Sequence, residues 1–338
     1  MAPHLKTKTN PHRRVEFGRR GKAHLVLAVD IGGTKVEAAL VSQMGKIVLS
    51  ERRPTAVKGR ASEGLRAVRE TIDGVLGRSR GREIRAIGVS VPGWVDANTG
   101  KVLKAANLPC WRDYPLARKL QDLYDLPTRI ANDANAAAMA EARWGAGRRY
   151  KSFFYVSLGT GIGTGVVQDT QGNPHTPSSE GGHMTIDYRG RLCPCGKRGC
   201  IEMYASGKAL ARRATHLLAQ RGARSSLLRT LARETPNGVN AELVGRAAAG
   251  GDRIAVGILE EACDHLAVWL GNIVDLLEPE AIVFGGGLGR LMLSYAPRIR
   301  RKLKTFAIRP NRAQIPMVGA RFGSQSALLG AAALWLQK

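Results

Sequence analysis

The sequence predicts an α/β protein built from two related domains, and three observations carry that expectation. The chain has 338 residues, more than the ~250–300 at which single cores usually divide. Short apolar runs with strand character alternate with segments of helical spacing. The order of strands followed by helices occurs twice, about 130 residues apart, each time opening on strand, glycine-rich turn and strand: "LVLAVDIGGTKVEAALV" and then "SFFYVSLGTGIGTGVVQD". Ligands of such proteins sit in the cleft between domains, so a cleft is expected.

Taken in order, residues 1–23 hold seven Lys and Arg against Glu16 alone, a net +6, with no apolar periodicity. They are expected to form a disordered basic arm. "HLVLAVD" (24–30) reads as a buried strand, "GGTK" as a turn, and "VEAALVS" and "KIVLSERRP" as the next strands of a meander. Leu65, Val68, Ile72, Val75 and Leu76 give 61–77 a helical stripe. "IRAIGVSVPG" (84–93) is a strand ended by Pro-Gly, and a helix near 115–124 leads to a short strand at 128–131. "NDANAAAMAEARWGAG" is a helix beginning near Asn132 or Asp133, since either residue caps well, alanines propagate the turn and Gly145 or Gly147 stops it. After the repeated hairpin come helices at 207–220, 240–248 and 252–276, the apolar strand "AIVFGGGLG", and a last helix near 325–337 that is apolar on more than one side and so expected to be buried. The expected domains are 24–131 and 132–322, with a C-terminal helix at about 323–338 packing back on the first.

Composition narrows the function classes. No apolar run reaches the ~18–20 residues of a membrane-spanning helix, so no membrane partner is expected. The opening residues have no apolar segment after their charges, and the five cysteines show no disulfide framework, so a cytoplasmic protein is expected. The net charge is +25, of which +19 lies beyond the arm. Scattered, solvated Arg and Lys explain that charge most simply; a surface tolerant of polyanions is the other reading.

Five stretches carry chemistry. In "DIGGTK" an acid at a strand end precedes two glycines whose backbone N–H groups can approach a phosphate; Asp30 can hold a hydrated Mg²⁺ and Thr34 can donate to a phosphate oxygen. A plain glycine hairpin beside a structural Asp is the competing reading. "GTGIGTG" (159–165) repeats the pattern with Thr160 and Thr164 as added donors, but a strand follows it, so it is not the dinucleotide fingerprint. "GGGLG" (285–289) permits a close backbone approach suited to a nucleoside, or is simply a strand–loop–helix turn. In "NDAN" (132–135), Asp133 is placed to accept a proton from a substrate hydroxyl beside Asn132; ordinary N-capping fits the same spacing. The fifth stretch differs in kind. His183, Cys193, Cys195 and Cys200 fall within 18 residues, separated by Pro194, Gly196 and Gly199. That donor set matches a closed structural Zn²⁺ site at 183–200 in preference to a redox centre, with one His183 ring nitrogen on the metal and the other left for a ligand.

With "VPGWVD", "NLPCW", "EGGH" and "CPCGKRGCIE" in their order among these motifs, the chain resembles the ROK family of sugar kinases and sugar-responsive repressors from about residue 25 to 337. The resemblance implies the actin-like (ribonuclease H-like) sugar kinase fold, an interdomain cleft, a homodimer, and ATP-dependent phosphorylation of a hexose at its 6-hydroxyl. Glucose is the first expectation, ahead of N-acetylmannosamine, N-acetylglucosamine, mannose and fructose. It implies Asp133 as catalytic base, with Gly93, Asn132, Glu180, His183 and Glu202 on the sugar. Asp30, Gly32, Gly33, Thr34, Lys35, Gly159, Thr160 and Gly161 match the phosphate loops, and Gly286 and Gly287 the nucleoside side. ATP with Mg²⁺ and structural Zn²⁺ are the implied cofactors, inorganic polyphosphate in place of ATP is left open by its use in some relatives of the family, and no specific nucleic acid is expected. Two departures touch the sugar side: Gly181 stands where the family usually has a bulky apolar residue, and "HTPSS" replaces a glycine-rich lead-in. The repressor reading is disfavoured, because repressors of the family carry a winged helix-turn-helix and only 23 polar residues precede the first strand here.

Overall fold

The computed structural model describes residues 24–55, 60–105, 108–170, 173–177, 179–220, 226–236, 238–308 and 313–336. The basic arm expected at 1–23 lies outside them, as does Asn107 of "NLPCW". Contacts divide the chain into two compact units, one of residues 1–136 with 328–338 and one of 137–327.

The first unit is built on β1 (Leu25–Ile31), β2 (Lys35–Ser42), β3 (Ile47–Pro54), α1 (Ala61–Leu76), β4 (Ile84–Val91), β5 (Trp94–Asp96), β6 (Lys101–Lys104), β7 (Arg112–Tyr114), α2 (Leu116–Tyr124), β8 (Thr128–Asn132) and the start of α3 (Asp133–Trp144). Its main sheet runs β3-β2-β1-β4-β8. β1 is antiparallel to β2 and parallel to β4, which is parallel to β8. Apolar residues fill β1 on both faces, as a central strand covered on both sides requires. Leu25, Leu27, Val29 and Ile31 join Val68, Ile72 and Val75 of α1 in one core. β5, β6 and β7 form a separate three-stranded sheet that the sequence reading did not anticipate; its strands are three or four residues long, too short to show a period.

The second unit repeats the scheme. β9 (Ser152–Leu158), β10 (Ile162–Thr170) and β11 (Asn173–His175) are followed by α4 (Glu202–Ala205), α5 (Gly207–Leu218), α6 (Leu227–Arg233), α7 (Ala241–Ala249), α8 (Arg253–Leu277), β12 (Ala281–Gly285), α9 (Gly287–Ser294), α10 (Ala296–Phe306) and β13 (Met317–Gly319). The sheet order is β11-β10-β9-β12-β13, with β9 antiparallel to β10 and parallel to β12. The internal repeat in the sequence is therefore a repeat of topology: a hairpin, then a parallel strand beside its first member. α8 is capped by Asp252, whose Oδ1 accepts from Ala255 N, and buries Ile258, Cys263, Trp269 and Leu270 against the sheet. The expected helices at 207–220, 240–248 and 252–276 correspond to α5, α7 and α8 within two residues at each end, whereas α6 and α10 were not read from the sequence.

The last helix is shorter than expected. A 3-10 turn at Gly323–Gln325 leads into α11 (Ser326–Ala333), and residues 337 and 338 lie outside the described chain. Its Leu328, Leu329, Ala331, Ala332 and Ala333 are buried, which explains its apolar character on several sides. A Cβ at Gly88 of β4 would overlap the Ala331 carbonyl, so the glycine lets helix backbone rest directly on the sheet. Trp335 locks the arrangement: its Nε1 donates to Ile87 O at 2.6 Å and its ring stacks under Arg129.

Candidate active site and metal centre

In the first unit the chemistry gathers where β1, β4 and β8 end. Asp30 pairs in register with Ser90, whose buried hydroxyl donates to Asp30 Oδ1 at 2.9 Å. Burial outweighs that hydrogen bond and, with the negative charge of Asp133 adding to it, pushes the Asp30 carboxyl up to about 6. Asp133 is likewise pushed up by burial, opposed by backbone N–H groups and the Asn132 amide. Two carboxylates whose charges repel and whose hydration is reduced are poised to hold a cation or accept a proton.

The capping reading of "NDAN" is realised, by its first residue. Asn132 supplies the cap: its Oδ1 accepts from Ala134 N at 2.9 Å and Asn135 N at 3.4 Å. Its Nδ2 donates to Gly93 O at 2.9 Å, so the amide is fixed at both ends. Asp133 Oδ1 accepts from the N–H of its neighbour Ala134, at 2.9 Å. Gly93 has φ +97°, and a Cβ there would overlap Lys104 O, so no other residue fits this turn readily. At the phosphate-type turn, Gly32 N donates to Lys35 O (2.8 Å) and Thr55 Oγ1 to Gly32 O (2.8 Å). Thr34 is exposed at its tip. Lys35 is held by Glu37 (Nζ–Oε2 3.3 Å), which also receives Arg52 at 2.7 Å. Ser90, Glu37 and Arg52 were not picked out from the sequence; strand register brings them in, and no local motif marks them.

In the second unit the turn 159–161 closes the β9–β10 hairpin, with Thr160 exposed. Gly159 O and Thr160 O accept from Gly207 N and Lys208 N, tying the turn to the start of α5. Glu202 Oε2 accepts from Ile162 N at 2.8 Å, and a Cβ on Gly161 would lie 2.6 Å from that same oxygen. Gly286, at φ +77°, turns β12 into α9, where a Cβ would overlap Leu158 O; around Gly287 there is open space. The strand–loop–helix reading of "GGGLG" is thus realised, and the same turn leaves the first backbone N–H groups of α9 without helical partners.

The cysteine loop folds back on itself through the Thr185–Cys200 and Leu192–Arg198 bridges. It brings the ligand atoms of His183, Cys193, Cys195 and Cys200 within 4.8 Å of one another. His183 Nδ1 lies 3.6 Å from Cys193 Sγ, and Cys195 Sγ lies 3.7 Å from Cys200 Sγ. A tetrahedral Zn²⁺ with ordinary bond lengths separates its ligands by about 3.6 Å (N to S) and about 3.8 Å (S to S). The residues fit the ion, no disulfide competes for the thiols, and Cys193 and Cys200 are buried. With four protein ligands such a site is architectural. Met203 and Tyr204, one turn beyond the last ligand, pack against the same cluster, so the metal loop and the helix bearing Glu202 form one structural piece.

The ROK family model matches residues 26–338. A glucokinase of Streptomyces coelicolor is 33% identical over 316 residues, covering 92% of this chain and 97% of that protein. An N-acetylmannosamine kinase of Yersinia pseudotuberculosis is 31% identical over 311 residues, covering 91% and 97%. Among solved structures, a ROK family glucokinase from Streptomyces griseus, in complex with glucose and AMPPNP, superposes with a TM-score of 0.75 at 32% identity over 92% of this chain and 98% of that one. These similarities support an actin-like sugar kinase.

Proposed function

This chain belongs to the ROK family, and from that premise we propose that it transfers the γ-phosphoryl group of ATP to the 6-hydroxyl of a hexose, glucose before other sugars. The observation that carries the reading is the arrangement of Asp30, Asn132 and Asp133 at the ends of β1 and β8, the parallel strands on either side of β4, with Asn132 taking the capping role. Asp133 accepts the proton of the 6-hydroxyl as that oxygen attacks the γ-phosphorus and the bond to the β-phosphate bridging oxygen breaks. Burial raises the proton affinity of Asp133 toward what a general base needs. Gly93, Asn132, Glu180, His183 and Glu202 are the residues assigned to the sugar. Backbone N–H groups of Gly32, Gly33 and Thr34, with Lys35, and those of Gly159, Thr160 and Gly161, stabilise charge on the phosphates, which is most of catalysis in phosphoryl transfer. Gly286 and Gly287 admit the nucleoside. Mg²⁺ accompanying ATP would be held through Asp30, a hard oxygen ligand, and supplies charge neutralisation.

Glucose rests on likeness to glucokinases, and likeness to an N-acetylmannosamine kinase is nearly as great. The test is a coupled ADP-release assay with glucose, mannose, fructose, N-acetylglucosamine and N-acetylmannosamine. The expected result is the highest kcat/KM with glucose; a higher value with an N-acetyl sugar moves the substrate while keeping the reaction, and no turnover with any sugar refutes the kinase. Polyphosphate in place of ATP, in the same assay at low and high salt, tests whether the basic surface recruits a second donor; activity that collapses with salt marks that route.

A further inference from the structure

Thr164 is buried, 2% exposed, near the start of β10. Its hydroxyl reaches the segment that precedes the metal loop. Gly181 N donates to Thr164 Oγ1 at 2.9 Å. Thr164 Oγ1 lies 3.2 Å from Ser179 Oγ, and Ser179 Oγ donates to Thr164 O at 3.0 Å. One proton assignment satisfies all three: the Gly181 amide gives to Thr164 Oγ1, the Thr164 hydroxyl to Ser179 Oγ, and the Ser179 hydroxyl to the Thr164 carbonyl. The methyl group fills the remaining space. A Cβ on Gly181 would lie 2.9 Å from Thr164 Oγ1 and 3.0 Å from its Cγ2. The next residue, Gly182, sits so close to Ile162 O that a Cβ there would overlap it.

Two adjacent glycines thus let the 3-10 turn Gly181–His183 lie directly on β10, and the Thr164 side chain occupies the volume that a side chain at 181 would need. The turn is flanked by Glu180 and ends in His183, whose Nδ1 faces the cysteine sulfurs. The same hairpin holds Glu202 through Ile162 N.

We propose that Thr164 is a positioning residue that sets the placement of the Glu180–His183 turn, and through it both sugar affinity and the hold of His183 on the metal. The sugar part rests on the kinase reading above; the metal part does not. Thr164 lies outside the metal-ligand set, and its hydroxyl, read from the sequence as a donor, is engaged with Ser179 and Gly181. The space between strand and turn is filled from the 164 side, which makes bulk at 164 and bulk at 181 mutually exclusive.

The experiment compares the full-length wild type with Thr164→Ser, Thr164→Val, Thr164→Ala, Gly181→Ala and the Thr164→Ala/Gly181→Ala double variant. Each is assayed for sugar KM and kcat and for the rate at which a chromogenic chelator removes bound zinc. Thr164→Ser keeps the hydroxyl and should stay within about threefold of wild type; Thr164→Val keeps the shape but strands a buried amide, and should raise sugar KM and speed zinc loss by roughly tenfold each with kcat little changed. Gly181→Ala should be worse in the wild-type background than in Thr164→Ala, where the opposing atoms are gone. Wild-type KM and zinc-loss rate in Thr164→Val, or effects of the two alanine substitutions that simply multiply, would overturn the proposal. If the wild type phosphorylates no sugar, the kinase reading fails separately, and the chelator rates still decide the role of Thr164.

Discussion

Asp30→Asn should make the protein more stable at neutral pH while abolishing its activity. The carboxyl of Asp30 is raised from 3.8 to about 6 by burial and by Asp133, so the folded chain binds a proton at acid pH that the unfolded chain releases. That preference stabilises the fold below about pH 4, fades as pH rises through 6, and is gone by pH 8, where holding the carboxylate ionised costs at most about 3 kcal/mol. Asn removes the charge yet keeps an oxygen to accept from Ser90 Oγ. Because the side chain is only partly withdrawn from solvent, screening brings the expected gain to about 1–2 kcal/mol at pH 8, falling to about half at pH 5. Urea unfolding without nucleotide or Mg²⁺, at pH 5, 6.5 and 8, reads this as a rise in midpoint at constant m-value. A variant no more stable than wild type at pH 8, or a gain that does not shrink in acid, refutes the claim that this carboxylate is held at a cost to the fold. Exchange of stability for activity is the signature of a working acid rather than a structural one.

Asp133→Asn should keep the unfolding free energy within about 1 kcal/mol of wild type and lower kcat by about 10²–10⁴-fold or more, as loss of a general base does; turnover within threefold of wild type places the base elsewhere. Metal analysis of protein purified without chelators should find one Zn²⁺ per chain. Cys195→Ser should lose that metal and weaken sugar binding as well as stability, because His183 and the Glu202 helix share the loop; unchanged zinc content would remove Cys195 from the ligand set.

What the sequence determined by itself was everything written in short-range pattern. Apolar runs, glycine turns and caps placed β1, β2, β4, β9, β10, β12 and the long α8 close to where they lie, and four metal-binding residues within one short loop could only be brought together by that loop. The repeat of strand, glycine turn and strand was legible for the same reason, since a hairpin is a local structure. Short elements were not: β5 to β7 and α6 have too few residues for a period to show and are held by their neighbours, and α10 buries only Ala296, Ile299 and Leu303 in an otherwise basic segment. Tertiary structure alone decided the matters of register and approach. Asp30 meets Ser90 because β1 and β4 pair in one register out of several, and 60 residues of sequence separate them. Asn132 became the cap because the Gly93 carbonyl, brought in from another strand end, fixed its amide. Gly181, read from the sequence as a missing side chain, proved to be the space that Thr164 fills from the strand beneath it: packing across a strand and a turn has no period along the chain, so only the folded molecule could show which of the two residues carries the bulk.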